Sequence, residues 1–293
     1  MTSLTMTSTR FWGCDMQILF NELSLTGQFA DQVAFVRNGL LPFVGVLKEM
    51  QGFSTLLLKK SDVWNNKITP SNTLHSFLIN NAFRKSDEVR RLKSAIAYLT
   101  KEPFWDYDSK QDPDSTYLLD GADICGSSPA EACERDKAVV SFISSSASSD
   151  PLNIIRNGIN ILLLNLTCAG KLTEHLWANH QISFELYLKT RFSGGKLDFS
   201  RVNEKMGFSG IQSAEQSLFI DTFRKFEELT WDQILTDRGL DYKEYDGIID
   251  RNYRGIKTYK FRASEKIRCH GYREKDSFVV IGFETDHKLS DRG

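Results

Sequence analysis

Residues 251–275 carry nine lysines and arginines, at positions 251, 254, 257, 260, 262, 266, 268, 273 and 275, against acids at 265 and 274 only. This local net of +7 contrasts with a formal charge of −1 for the whole chain. Tyr259, Phe261, Ile267 and Cys269 are interleaved with the cations and favour a strand, on which side chains alternate between the two faces. The alternation places Arg262, Ser264, Lys266, Arg268 and His270 at period two. Unpaired charges are too costly to bury, so these groups are expected to face water or a polyanion, with nucleic acid the natural candidate.

A stretch of opposite sign lies upstream. Residues 102–136 hold ten acids and two bases, a net of −8, with Phe104, Trp105, Tyr107 and Tyr117 among them. Asp106, Asp108, Asp112 and Asp114 alternate somewhat like oxygen ligands, but neither the turn glycine nor the closing glutamate of an EF-hand is present. A solvated loop is the plain reading. A sharper one is a nucleic-acid mimic that pairs with the basic stretch as a brake.

The remaining candidates for chemistry are weak. Five cysteines, at 14, 125, 133, 168 and 269, are scattered without metal-ligand spacing and predict reduced thiols in a cytoplasmic protein. His175 and His180 are five apart and do not share a helical face. The Gly126-Ser127-Ser128 run lacks the lysine and glycine spacing of a phosphate loop. No metal and no cofactor is expected. The longest apolar run, residues 159–166, is too short to span a membrane and contains asparagines; the first ten residues lack the apolar segment of a signal peptide.

Helical spacing is expected over 30–49, with Pro42 starting a new turn or a kink, and over 72–81, 86–99, 172–180, 212–229 and 231–235. Ser86, Ser128 and Ser213 are the expected caps. Strands are expected at 53–58, 139–143, 182–188 and 277–283, with 273–276 a four-residue polar turn. Residues 154–166 mix strand and helix signals, and 144–150 form a serine-rich connector.

Residues 230–240 (TWDQILTDRGL), 261–273 (FRASEKIRCHGYR) and 283–289 (FETDHKL) resemble small bacterial proteins of the RelE/ParE-like toxin class. The resemblance covers about the last 110 residues. Residues 20–25 (FNELSL) and 103–106 (PFWD) are similar to uncharacterised bacterial defence-island proteins. The toxin resemblance implies a compact antiparallel sheet with one or two helices on one face, and cleavage of messenger RNA without metal, often on the ribosome. Such cleavage needs a base for the 2′-hydroxyl, an acid for the leaving oxygen and cations for the phosphorane. His287, His270 and Tyr272 are the acid–base candidates, with Lys266 and Arg268 beside them. Arg254, Lys257, Lys260, Arg262, Arg273 and Lys288 would grip RNA.

The expected architecture is α+β: a mixed N-terminal domain over residues 1–180, regulatory or partner-binding, and a RelE-like basic domain over 181–293. The expected function is an RNA-cleaving toxin or anti-phage effector restrained by its N-terminal domain or by a partner such as an antitoxin. The substrate would be messenger RNA, ribosome-bound or free, or transfer RNA. The alternative is a non-catalytic nucleic-acid or protein-binding subunit of a defence complex.

Overall fold

The computed structural model describes residues 16–25, 27–80, 87–143, 149–245 and 255–286. Helices and sheets occur in each of two compact units, residues 1–172 and 173–293. Among the described residues no helix is long and apolar enough to cross a membrane.

In unit 1 the chain runs β1 (Gln17–Phe20), α1 (Gln32–Ala34), a π-helical turn (Phe35–Leu40), α2 (Leu41–Gly52), β2 (Leu56–Leu58), α3 (Leu74–Ile79), α4 (Asp87–Ile96), β3 (Tyr117–Leu119) and β4 (Ala122–Asp123). It continues with α5 (Ser128–Arg135), β5 (Val139–Val140), β6 (Leu152–Arg156), β7 (Ile159–Leu163) and β8 (Asn165–Leu166). A parallel sheet in the order β2-β1-β5-β8 has β1 near its centre. Ile18, Leu19 and Phe20 are all buried, as a strand covered on both faces requires. Phe20 belongs to an aromatic cluster with Phe35, Phe43, Phe77 and Phe142, in which Phe43 stacks on Phe142 at 4.1 Å. Leu19, Leu58 and Val139 join a second cluster with Ala130 and Ala132 of α5 and with Leu119, Leu152, Ile154 and Leu163. Those last residues come from a second, antiparallel sheet in the order β4-β3-β6-β7.

Several sequence expectations meet physical corrections here. The expected break at Pro42 is absorbed by the π turn: the Leu41 N–H donates to Val36 O, five residues back, just before the proline that has no N–H to offer. Helical structure therefore continues to Gly52. The cap of α5 is Ser127 rather than Ser128, because the Ser127 hydroxyl accepts from the Ala130 N–H. Residues 152–163 form a hairpin, settled by Asn157 (φ 49°) and Gly158 (φ 79°), the type I′ pair that matches strand twist. Ser86 lies outside the described residues.

The acidic stretch of unit 1 is largely engaged within the unit. Asp106 accepts from the Ser61 N–H and hydroxyl. Fully buried Glu131 accepts from Ser109, the Lys110 N–H, Gln111 and Arg135. Glu134 pairs with Arg156 at 2.7 Å. Among the described residues no three His, Cys, Asp or Glu side chains converge as a metal group.

The division between the units falls inside α6 (Ala169–Ala178). Unit 2 continues with α7 (Phe184–Arg191), β9 (Leu197–Asp198), α8 (Ser213–Glu228), α9 (Trp231–Thr236), β10 (Lys243–Glu244), β11 (Thr258–Arg262), β12 (Arg268–Glu274) and β13 (Ser277–Glu284). The sheet order is β10-β11-β12-β13-β9, antiparallel except for β9, which lies parallel to β13. Residues 182–188, expected as a strand, lie largely in α7. Ser183 caps it, and the buried Phe184, Tyr187 and Leu188 sit at i, i+3 and i+4, a helical stripe that a short alternating run imitates. The cap of α8 is Gln212, in a capping box with Glu215, rather than Ser213. Phe219, Phe223 and Phe226 of α8 stack on Phe261, Phe278 and Phe283 of the sheet, with centroids 4.8–6.3 Å apart. The hairpin turn before β13 is only Lys275-Asp276, since β12 runs on to Glu274.

Unit 1 also buries a lysine without a polar partner. Lys59 follows β2, where its backbone bonds to Pro103 and Trp105 tie residues 103–105 alongside. Its side chain is fully buried, its Nζ makes no hydrogen bond, and the Tyr98 ring lies 4.4 Å away. Burial pulls its pKa down from 10.5 to about 8. Unfolding therefore takes up a proton between those values, and stability rises with pH across the window. Lys59→Met is expected to raise the unfolding free energy near pH 7 by on the order of 2–3 kcal/mol, an advantage that shrinks as pH climbs from about 8 to 10.5. Urea denaturation at pH 7 and pH 10 checks this; an equal gain at both would show that Lys59 stays charged in the fold.

Candidate nucleic-acid interface

The register of unit 2 decides which charges meet. Lys243 lies opposite Lys260, Lys260 opposite His270, Arg262 opposite Arg268, Thr258 opposite Tyr272, and Arg268 opposite Glu284. Directly paired residues share a face. Lys243, Lys260, Arg262, Arg268, His270, Tyr272 and Glu284 are thus collected on one side, and α8 covers the other through Phe261, Phe278 and Phe283.

The basic residues do not run along one strand, as the alternation predicts. A bend at residues 263–266 reverses the chain, so Arg262 and Arg268 become neighbours across the hairpin. Nor is the face wholly turned to water: relative exposure is 8% for Lys260, 6% for Arg268 and 0% for His270. Burial is tolerated because acids the sequence reading overlooked supply countercharge. Glu284, itself buried, places Oε2 at 2.8 Å from His270 Nε2. Asp241 is shared by Lys243 Nζ at 2.9 Å and Arg262 Nη2 at 3.1 Å.

Electrostatic shifts follow this layout. Burial, then Lys243, pulls the Lys260 ammonium below its ordinary range, and Glu284 opposes the change. Burial and Arg262 likewise lower Arg268 against the pull of Asp241 and Glu284. Burial pushes the Asp241 carboxyl up, but Lys243, Arg262 and Arg268 outweigh it and hold the group below the usual carboxylate value.

A β-bulge between His270 and Gly271 re-aims the strand beside this pair. A Cβ at Gly271 would lie 2.3 Å from Val279 O. Gly282, directly opposite His270, has no room for a Cβ either, because Met206 Cβ would be 2.4 Å away. The Tyr245 ring lies 5.1 Å from the His270 ring and 4.2 Å from Lys260 Nζ. His270 Nδ1 has no hydrogen-bond partner. Arg201 donates to the Tyr272 hydroxyl at the far end of the face.

The sequence candidates therefore separate. Lys260, Arg262, Arg268, His270 and Tyr272 share the face. Arg268 spends one guanidinium nitrogen on the Ser264 and Ile267 carbonyls, which fastens the bend. Lys266 is exposed on that bend, apart from the pair. Lys257 is exposed and paired with Glu244 at 2.6 Å. Arg273 lies 3.9 Å over the Trp231 ring, and Trp231 packs on Phe226 of the helix-covered side. Arg254, His287 and Lys288 lie outside the described residues.

Chemically, the face can hold anions at a rim of exposed Lys243 and Arg201 and half-exposed Arg262. Beneath it lies a histidine oriented by a carboxylate, an arrangement able to accept or give a proton at Nδ1. No protein-family model, curated protein or solved structure matches the chain.

Glu284→Ala would leave His270 buried without its carboxylate and remove one of the two acids, with Asp241, that offset Lys260 and Arg268. The expected loss of unfolding free energy is about 3–5 kcal/mol, read by urea denaturation of the full chain. A loss below about 1 kcal/mol, the scale of exposed pairs, would mean that water already screens the cluster.

Proposed function

We propose that unit 2 is an RNA-binding domain that grips phosphates at the exposed rim of the sheet face opposite α8. The observation that carries this reading is the collection of Lys243, Lys260, Arg262 and Arg268 on one face against the carboxylates of Glu284 and Asp241, with Lys243 and Arg262 reaching water. An excess of cations at an accessible rim attracts a polyanion of regular charge spacing. The resemblance to RelE/ParE-like toxins favours RNA over DNA. That resemblance is supported by an antiparallel four-strand core, a single face packed on α8, and the order strand, helix, short helix, four strands. In this reading the protein serves a bacterial defence or toxin system as a binding subunit.

A second reading, metal-free RNA cleavage, is favoured by the His270–Glu284 pair. The carboxylate fixes the imidazole, leaving Nδ1 as the atom that moves a proton, with Lys260 as the nearby cation and Tyr272 at the end of the face. Binding is preferred because His270 has no solvent exposure, so no phosphodiester reaches it in this conformation.

The two readings separate in one experiment with purified full-length chain and a labelled single-stranded RNA. Binding predicts that reversing both rim charges, Lys243→Glu with Arg262→Glu, weakens the complex at least tenfold. It also predicts that the slope of log affinity against log salt flattens by about one to two. The RNA stays intact. Fragmentation that disappears in His270→Gln would establish cleavage instead. An affinity indifferent to both reversals would remove the sheet face from either role.

A further inference from the structure

Strand β7 is an edge of the antiparallel sheet of unit 1: among the described residues it pairs with β6 alone. An edge exposes a row of unpaired backbone donors and acceptors, and proteins usually protect it with charge, proline or a bulge. Residues 159–166, INILLLNL, contain no charged residue, no proline and no glycine. Two apolar side chains of the strand are bare as well, Ile159 exposed to 68% and Leu162 to 66%. Ile155 of the adjoining strand β6 is also exposed.

The turn sets which backbone groups face outward. In a hairpin with a two-residue turn, the flanking pair, here Arg156 and Ile159, is hydrogen-bonded, and bonded pairs recur at every second position. Ile159, Ile161 and Leu163 therefore direct their N–H and C=O groups to β6. Asn160 and Leu162 direct theirs to the open edge. Leu164 O is already taken by the Val139 N–H. The free groups are thus two residues placed symmetrically about Ile161.

We propose that β7 pairs antiparallel with β7 of a second copy of this chain, with the two-fold axis at Ile161. Asn160 of each copy then lies opposite Leu162 of the other, and both positions complete their backbone hydrogen bonds. Centring the axis on Leu162 instead would call on Leu164, whose carbonyl is occupied. No like charges meet in this register, since the paired segment carries none. A strand is the occupant an edge demands, and an isologous interface requires a surface complementary to itself, as this one is. The two sheets join into one of eight strands.

Sedimentation equilibrium of the full chain from about 1 to 100 µM tests the pairing. The expected result is a species of twice the 33.5 kDa protomer mass. Asn160→Pro removes only an N–H that faces outward, leaving the β6 ladder intact. Leu162→Lys adds a positive charge to each joined edge. Each variant should raise the dissociation constant at least tenfold, with circular dichroism and melting temperature unchanged. Ile161→Cys should give a disulfide-linked dimer on mild oxidation, because non-hydrogen-bonded antiparallel pairs lie about 4.5 Å apart at Cα, within disulfide reach. Ile159→Cys should not, since it faces Leu163 of the other copy. A monomer at every concentration, or a dimer insensitive to both edge variants, would overturn the proposal. So would preferential cross-linking through position 159.

Discussion

The carboxylate of Glu284 is the group on which the charged face of unit 2 depends. β12 must send Cys269 into the aromatic layer beneath α8 and Arg268 and His270 to the opposite side, because strand neighbours alternate. The side opposite α8 is itself largely covered, so its charges are tolerable only with an acid among them. Glu284 ends β13, diagonal to His270 and directly across from Arg268. One residue thus orients the imidazole and, together with Asp241, offsets both buried cations. The bulge at Gly271 and the bare backbone at Gly282 are local accommodations to that packing.

Unit 1 treats buried charge in two contrasting ways. Glu131 is saturated with donors from the loop at 109–111 and from Arg135, so its burial fastens the acidic stretch to α5. The Lys59 ammonium makes no hydrogen bond and lies 4.4 Å from the Tyr98 ring, and Glu22 keeps one oxygen without a partner while burial pushes its pKa up. Saturated charges specify where a loop sits. Unsaturated ones lower stability by the desolvation that is left uncompensated.

The sequence exposes those features that are local and loses those set by pairing across distance. α8 and its phenylalanine stripe are legible because helical periodicity is written within one segment, as is the apolar run of β13. The concentration of cations at 251–275 overlaps β11 and β12, whose Lys260, Arg262 and Arg268 lie on the charged face with Lys243, Asp241 and Glu284 from outside that stretch. Their burial is not legible, because it follows from register: Glu284 is fourteen residues from His270, and Asp241 is twenty-one from Arg262. The bend at 263–266 was the missing element. It converts one alternating strand into two, and turns Lys266 from a face residue into a tip residue. α7 failed as a strand for the reverse reason, since seven residues are too few to separate period two from period 3.6 when a Ser183 cap is overlooked.

The sharing of Asp241 between Lys243 and Arg262 bears on what can settle on this face. An anion arriving at Lys243 or Arg262 must exchange with a tethered carboxylate whose local concentration is fixed by the chain. Each exchange gains little, so a small free anion competes poorly. Under the proposed binding role, a long polymer that also contacts the other rim cations would accumulate the advantage, and the face would discriminate ligand length before ligand sequence.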